Sequence, residues 1–363
     1  MKKYDYLFLK NSLISSNILS LFVSIEKIQA TVLRNEEIYP KVFDKIQAIA
    51  NLQSVKYSNL LDRIEISDLR LESIINNGEN SLNDNESQIN GYNKALNDIR
   101  LKKEKYTFNS YNIRNFHHLL FSNTEHNHAG DLKEEDNMLL EVLDDGSKRV
   151  LFNPVSYKNT TKALNQLIDA YKIARDDESI PKLLLIPCVI LDFLLIYPFS
   201  DGNERISRLL SLLLLKNFNY NVGDFVSLEK QIFKNKTEYY EAIRKSSINW
   251  DENTNDYNPF IENFLESLYS CYIELNSRFK IVNGEKKSKK FRIEETIKRS
   301  FEPISRKEIH LVWPDIAQET IKKVIKNLLN ENKIKKIGNF KDARYKRNWY
   351  GSTTQNDENV VIF

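Results

Sequence analysis

Two strongly apolar runs, residues 183–196 and 209–215, flank a short polar segment, residues 197–208, and this pattern constrains the fold more than any other feature. Pro198 and Gly202 interrupt the apolar sequence and favour a tight turn. The pattern therefore predicts a helix, a tight turn and a second helix. With only nine glycines and eight prolines, and with leucine and isoleucine at helical spacing in the N-terminal part, the whole chain is predicted to be mainly α.

The polar segment has the composition of an anion site. A turn that leads into a helix leaves backbone N–H groups unpaired at one point, and such groups favour phosphate. Asp201 is a suitable ligand for Mg²⁺, and Arg205 and Arg208 lie near the helix start, where cations are favourable only beside an anionic partner. The segment predicts a phosphate site, and an ordinary turn with solvated arginines stays open as the alternative.

Residues 197–208 resemble the signature of the Fic family, which reads His-Pro-Phe-x-Asp/Glu-Gly-Asn-Gly-Arg-x-x-Arg. Tyr197 stands where the family has histidine, and Glu204 stands where it has the second glycine. The resemblance implies transfer of AMP from ATP to a hydroxyl of an unidentified target protein, with Mg²⁺ and ATP as cofactors. It assigns the metal to Asp201 and the phosphates to the turn and arginines, namely Gly202, Asn203, Glu204, Arg205 and Arg208.

The two departures predict an impaired enzyme or a pseudoenzyme. A tyrosine with a pKa of about 10 keeps its proton at neutral pH, so Tyr197 either fills the space of the catalytic histidine or needs a large downward pKa shift. Glu204 brings negative charge to a phosphate site. Its carboxylate either replaces a nucleotide phosphate and pairs with Arg208 four residues later, or faces solvent at the helix start. A divergent nucleotidyl or phosphoryl transferase is the alternative.

Residues 54–66 resemble the segment with which many Fic proteins restrain themselves, whose motif is Ser/Thr-x-x-x-Glu-Gly/Asn. Ser58 matches the hydroxyl, Asp62 stands for the glutamate and Arg63 for the glycine. The resemblance assigns an inhibitory role to Ser58 and Asp62. If the shorter Asp62 does not reach Arg208, this arginine is free for Glu204. Glu65 is a competing candidate for the restraining acid.

The resemblance covers about residues 50–280 and implies a helical Fic (Fido) core. It includes His117 in a His-x-x-Leu segment and a small β-hairpin flap around Asp145 and Gly146. The predicted parts are an N-terminal helical region, residues 1–100, and the Fic core, residues 101–280. They continue with a winged helix-turn-helix domain, residues 281–350, and a disordered tail, residues 351–363.

The C-terminal domain is distinctly basic. Residues 284–350 contain 19 Lys/Arg and 9 Asp/Glu, a net charge of +10. The order of predicted helices and strands resembles a winged helix, with a recognition helix beginning near Gln318. DNA binding is one prediction, and a protein-docking or scaffold role is the other. The candidate DNA contacts are Lys322, Lys323, Lys326, Arg344 and Lys346.

The remaining features predict a cytoplasmic protein without membrane contact. The longest apolar run is too short to span a bilayer and contains Pro187 and Asp192. Cys188 and Cys271 lie apart in apolar segments and are predicted to be buried free thiols. A homodimer is a further possibility that the sequence leaves open.

Overall fold

The structure is a computed structural model, and it describes residues 2–11, 14–38, 40–102, 105–125, 128–142, 147–280, 288–300, 303–313, 315–338 and 343–348. The described chain is mainly helical, as the sequence predicts. It divides into two compact units, one of residues 1–34 and 47–273 and the other of residues 35–46 and 274–363. The predicted tail, residues 351–363, lies outside the described residues.

Several helices up to residue 280 begin at a residue whose side chain caps the first turn. Asn83 accepts a hydrogen bond from the backbone N–H of Glu86, and Asn109 accepts one from that of Asn112. The helices are α1 (Ser16–Ile38), α2 (Pro40–Leu61), α3 (Asp68–Asn77), α4 (Asp84–Leu101), α5 (Ser110–Phe121), α6 (Tyr157–Asp176), α7 (Lys182–Ile196), α8 (Asn203–Asn217), α9 (Leu228–Lys234), α10 (Lys236–Ser247) and α11 (Asn258–Lys280).

Helix α7 forms the centre of the first unit. Residues 183–196 of this helix are all buried, and α6 and α8 pack against it. Helices α4 and α5 also pack closely, because Gly91 of α4 lies against the backbone of α5. A Cβ atom at Gly91 would lie 2.3 Å from the carbonyl oxygen of Leu119, which no real side chain tolerates. Glycine therefore sets the distance between two helices that both contribute to the site described below.

The predicted small β-hairpin is present between α5 and α6. Strands β1 (Leu139–Val142) and β2 (Lys148–Phe152) pair antiparallel, with an irregular register between Leu139 and Leu140. The predicted turn at Asp145 and Gly146 lies outside the described residues. Across the part of the chain that is described, no helix has both the length and the hydrophobicity to cross a membrane.

The second unit contains α12 (Lys289–Arg299), β3 (Ile304–Ser305), α13 (Arg306–Val312), α14 (Gln318–Asn330), β4 (Ile334–Ile337) and β5 (Arg344–Arg347). Its strands form an antiparallel sheet in the order β3, β5, β4. Ser305 starts α13 with a capping box that includes Glu308. The apolar face of α14 joins a buried cluster with α12 and Trp313. The elements follow the predicted order, and classification as a winged helix stays a prediction.

Candidate functional site

The loop between α7 and α8 is held in one shape by its own side chains. Tyr197 ends α7 in a left-handed conformation, with a φ of 52°, and Gly202 precedes α8 with a φ of 73°. The Asn203 side chain accepts from the backbone N–H of Phe199 and donates to its carbonyl oxygen, both at 2.9 Å. A Cβ atom on Gly202 would lie 2.8 Å from the ring of Phe121. Gly202 therefore serves both the turn and its packing against α5.

His117 supports the same loop from α5. Its Nδ1 accepts from the backbone N–H of Gly130 at 2.8 Å, so the ring proton lies on Nε2, which donates to the carbonyl oxygen of Asp201 at 3.2 Å. The imidazole is fully buried and stacks on Phe199 with ring centroids 4.0 Å apart. His117 therefore positions the loop. Because both ring nitrogens are hydrogen-bonded and the ring is buried, neither nitrogen can accept a proton from a substrate at the surface.

One carboxylate binds both arginines of the segment. Asp62 Oδ2 lies 2.7 Å from Arg205 Nε, and Asp62 Oδ1 accepts from Arg208 Nη2 at 2.7 Å. Ser58 accepts from Arg208 through its hydroxyl at 2.8 Å and its carbonyl oxygen at 2.9 Å. Arg205 Nη1 also donates to Gln88 at 2.6 Å. Asp62 therefore reaches Arg208 despite its short side chain, and Arg208 is not free for Glu204.

Asp62 lies in the turn that ends α2. It follows directly after the last residue of this helix, and Arg63 has a left-handed conformation with a φ of 62°. The conformation of Arg63 explains why the resembling motif has glycine or asparagine at this place, because these residues adopt positive φ most easily. Glu65, the competing acid, is exposed.

The two guanidinium groups are almost completely buried, with 2% of each side chain exposed. Burial alone lowers the pKa of Arg208, but Asp62 outweighs this effect and the net shift of the pKa is upward. Arg208 Nη1 is buried without a hydrogen-bond partner among the described residues. The arginine pair is thus charged, water-excluded and compensated by one internal anion.

A second carboxylate lies at the start of α8. The Tyr197 hydroxyl donates to Glu204, 3.0 Å from Oε1 and 3.2 Å from Oε2. Burial first, and then the charge of Asp62, raise the pKa of Glu204 to about 7, while its own backbone N–H and Arg208 favour the charged form. Burial and Glu204 raise the pKa of Tyr197 far above its ordinary value. Tyr197 therefore holds its proton and does not act as a base.

Two predictions for Glu204 need correction. The sequence predicts that its carboxylate either pairs with Arg208 or faces solvent. Arg208 instead donates to Ser58 of α2 and to Asp62, which follows this helix, and the hydrogen-bond partner of Glu204 is Tyr197. The Glu204 residue is half-buried, and its carboxylate interacts with the backbone N–H at the helix start. The carboxylate thus occupies a place suited to an anion.

Asp201 is the open carboxylate of the site. Its side chain is 63% exposed, Oδ1 accepts from the backbone N–H of Gly202 at 2.6 Å, and Oδ2 lies 3.9 Å from Arg205 Nη2. No group of three potential metal ligands occurs among the described residues. A Mg²⁺ ion at Asp201 would therefore depend on phosphate oxygens and water for most of its ligands, which is usual for this ion.

Sequence reasoning missed three contributors to the site. Gln88 binds Arg205, and Tyr239 and Tyr240 of α10 lie within electrostatic range of Glu204 and Arg208. Burial raises the pKa of Tyr239 to about 12, although the charge of Arg208 opposes this shift. The sequence does not place the two adjacent tyrosines beside α8, because their position relative to this helix depends on tertiary packing.

Part of the first unit matches a known protein family. Residues 107–215 match the model of the Fic/DOC family. The chain therefore contains a Fic/DOC family domain, and this domain includes the loop, His117 and both arginines. The comparison with curated proteins gives no match.

Solved structures of Fic proteins resemble the chain in fold. A Fic family protein from Desulfovibrio desulfuricans G20 is 15% identical with a TM-score of 0.59, covering 94% of this chain and 98% of that one. A Fic domain containing signaling protein from Bacteroides thetaiotaomicron VPI-5482 is 19% identical with a TM-score of 0.57, covering 72% and 95%. Fic-1 (residues 134–508) from C. elegans is 19% identical with a TM-score of 0.51, covering 74% and 73%. These identities show a shared fold alone.

Proposed function

We propose that this chain is a Fic-type adenylyltransferase homologue whose phosphate site is closed by its own carboxylates and whose catalysis is impaired. The observation that carries the proposal is the bridge from Asp62 to Arg205 and Arg208, at 2.7 Å to each. Family resemblance assigns these two arginines to the phosphates of ATP. A carboxylate that pairs with both arginines competes directly with a nucleotide for them.

Glu204 supplies a second obstacle to nucleotide. Its carboxylate lies at the N-terminal end of α8, where the family has a glycine that allows backbone to approach phosphate. With Asp62 also present, an incoming triphosphate meets two like charges in a partly water-excluded site, at a cost of several kcal/mol. Burial and the charge of Asp62 raise the pKa of Glu204 to about 7, so its surroundings oppose even this one added negative charge.

The resemblance also defines what chemistry is impaired. Transfer of AMP needs a base that takes the proton of the target hydroxyl, and such a base works best with a pKa near the ambient pH. Tyr197 has a raised pKa and donates its proton to Glu204. A bound Mg²⁺ would supply charge neutralisation of the phosphates, and Asp201 is the exposed carboxylate that fits it.

Calorimetric titration with Mg²⁺-ATP tests the proposal. We expect no measurable binding by the native chain, because Asp62 and Glu204 both oppose the triphosphate. Asp62→Ala with Glu204→Gly removes both carboxylates and should bind at micromolar levels. Asp62→Ala with Glu204→Gln is the matched control, since it removes the same charges and retains the bulk of the side chain at position 204. Micromolar binding by the native chain would contradict the closed site and support a divergent nucleotidyl or phosphoryl transferase.

A specific feature of the second unit favours DNA binding as a second function. Lys335 of β4 stands directly opposite Lys346 of β5, and both side chains are exposed. Two exposed lysines side by side in a sheet suit contact with the phosphates of DNA. Lys322, Lys323 and Lys326 are exposed on α14, as predicted.

The role predicted for Arg344 needs revision. Its guanidinium donates to both carboxylate oxygens of Glu308, at 3.2 and 3.1 Å, and to the carbonyl oxygen of Pro303 at 3.1 Å. These bonds tie β5 to the start of α13, so Arg344 is a structural contact of the sheet. The proposed phosphate contacts are therefore the lysines of α14 together with the opposed pair of β4 and β5.

Fluorescence anisotropy of the full chain with a labelled DNA duplex, measured across salt concentrations, tests this second function. Each lost phosphate contact should reduce the slope of log K against log salt by about 0.9. We expect the double variant Lys335→Gln with Lys346→Gln to reduce the slope by nearly twice this amount, because it loses two phosphate contacts. The double variant Lys158→Gln with Lys162→Gln removes two exposed charges from α6 and should leave the slope unchanged. Absence of binding at low salt would contradict DNA binding.

A further inference from the structure

We infer that α14 reads the base sequence of DNA and that Glu319, in the first turn of this helix, selects cytosine. This role depends on the DNA binding proposed above for the second unit. It adds a specificity-determining residue, because the lysines named so far contact phosphates and do not distinguish one sequence from another.

One face of α14 is exposed along its whole length. The opposite face carries Ile321, Val324, Ile325 and Leu328, which are buried in the cluster with α12 and Trp313. Because the buried positions recur at helical spacing, the remaining residues form one continuous surface. A helix exposed in this way fits the major groove, which is about 12 Å wide. The exposed residues of α14 are Gln318, Glu319, Lys322, Lys323, Lys326, Asn327 and Asn330.

This exposed face contains hydrogen-bond acceptors as well as positive charge. Its three lysines only donate, whereas its carboxylate only accepts and its three amides both donate and accept. Phosphate oxygens accept hydrogen bonds, so donors alone suffice to bind the DNA backbone. In the major groove, the groups that can donate to a protein acceptor are the amino groups of cytosine and adenine. The acceptors of α14 are therefore suited to base edges and not to phosphates.

Glu319 is the acceptor that distinguishes most sharply between the two kinds of contact. Its side chain is 78% exposed, and Lys322 Nζ lies 3.9 Å from its Oε2, which is too far for a hydrogen bond. An ionised carboxylate repels phosphate. On a helix that faces DNA, Glu319 is thus favourable only beside a base that offers an amino group. The N4 amino group of cytosine is the usual partner of a glutamate in the major groove.

The position of Glu319 in α14 agrees with this role. It is the second residue of the helix, and the N-terminal residues of a recognition helix are those that contact base edges. An acid in the first turn also stabilises the helix itself, with or without DNA. A change of base preference is the effect that this stabilisation cannot produce, so it is the property to measure.

Selection of bound duplexes from a random pool by the full chain, followed by sequencing, measures that preference. We expect the native chain to enrich cytosine at one position, where a different base weakens binding about tenfold in fluorescence anisotropy. Glu319→Ala should lose this preference and bind unrelated duplexes more tightly, because a negative charge is removed. Glu319→Gln should move the preference to adenine, because a glutamine amide pairs with N6 and N7 of this base.

Two matched variants separate base reading from charge. Lys335→Gln with Lys346→Gln should weaken binding to the preferred duplex and to its altered form by the same factor, since phosphate contacts carry no sequence information. Glu252→Ala removes an exposed acid of the first unit and should change neither affinity nor preference.

The outcomes distinguish the role of Glu319 from DNA binding as such. If the native chain binds duplexes without base preference, or if both Glu319 variants keep the native preference, the role of Glu319 is overturned and DNA binding stands. If no duplex binds at low salt, DNA binding is contradicted and the role of Glu319 with it. Glu319→Gln retains the shape of the side chain, so the comparison holds even if Glu319→Ala destabilises α14.

Discussion

Replacing Asp62 by alanine should destabilise the first unit by about 3–5 kcal/mol, the usual cost of removing one partner from a buried ion pair. The substitution leaves Arg205 and Arg208, each with only 2% of its side chain exposed, without the carboxylate that bridges them. The loss is large because a buried guanidinium cannot release its proton to escape the penalty. Urea unfolding followed by circular dichroism measures the free energy of unfolding.

Inorganic phosphate should reverse much of this loss. An anion that binds the two arginines in the folded state, and not the unfolded chain, stabilises the protein in proportion to the logarithm of its concentration. Glu65→Ala is the matched control, because it removes a nearby exposed acid that does not contact the arginines. A loss of less than about 1 kcal/mol in Asp62→Ala, without an effect of phosphate, would show that the arginines do not form an anion site.

The Asp62 contact shows where prediction from sequence succeeds and where it stops. The motif comparison found the correct segment, with Ser58 and Asp62 as the residues that meet Arg208. It left open whether the shorter Asp62 reaches Arg208. That contact depends on how closely the end of α2 packs against the arginines, which the sequence does not state.

Glu204 illustrates the same limit from the other side. The spacing of four residues to Arg208 is favourable for a pair on an isolated helix, but such a pair contributes only about 0.2–0.5 kcal/mol. Charge-assisted bonds from Arg208 to Asp62 and Ser58 are stronger, and they decide where the guanidinium lies. The partner of Glu204 is Tyr197, seven residues away across the turn, which no helical spacing rule identifies.

The fold itself was more predictable than the site. Helical periodicity and the short hairpin gave the correct class, since amphipathic spacing directly reports which face is buried. The close approach of α4 and α5 at Gly91 could not be predicted from the sequence. A glycine within a helix usually indicates a less stable helix, and it does not by itself indicate contact with a neighbouring helix. This contact places α4, which carries Gln88, beside α5, which carries His117. A packing feature that the sequence does not predict therefore helps to assemble the predicted site.

Stability of the native chain should fall as the pH rises from about 4.5 to 7 through the titration of Glu204. Burial and Asp62 raise the pKa of this carboxyl from its ordinary value of 4.5 to about 7 in the folded state. Within that window the folded chain retains a proton that the unfolded chain releases, so each pH increment favours unfolding. The full effect is roughly 3 kcal/mol at most, because one pKa unit corresponds to about 1.4 kcal/mol.

Glu204→Gln isolates this contribution, since glutamine retains the shape of the side chain and does not titrate. Other groups with raised pKa, such as Asp192, are present in both proteins and cancel in the difference. The free energy of unfolding of the native chain, minus that of Glu204→Gln, should therefore decrease as the pH rises from 4.5 to 8. An increase over this range would mean that Arg208 stabilises the Glu204 carboxylate more than burial and Asp62 oppose it. The folded protein would then stabilise the charged form of Glu204, and removing this charge would lower the free energy of unfolding by leaving Arg208 with less compensating negative charge.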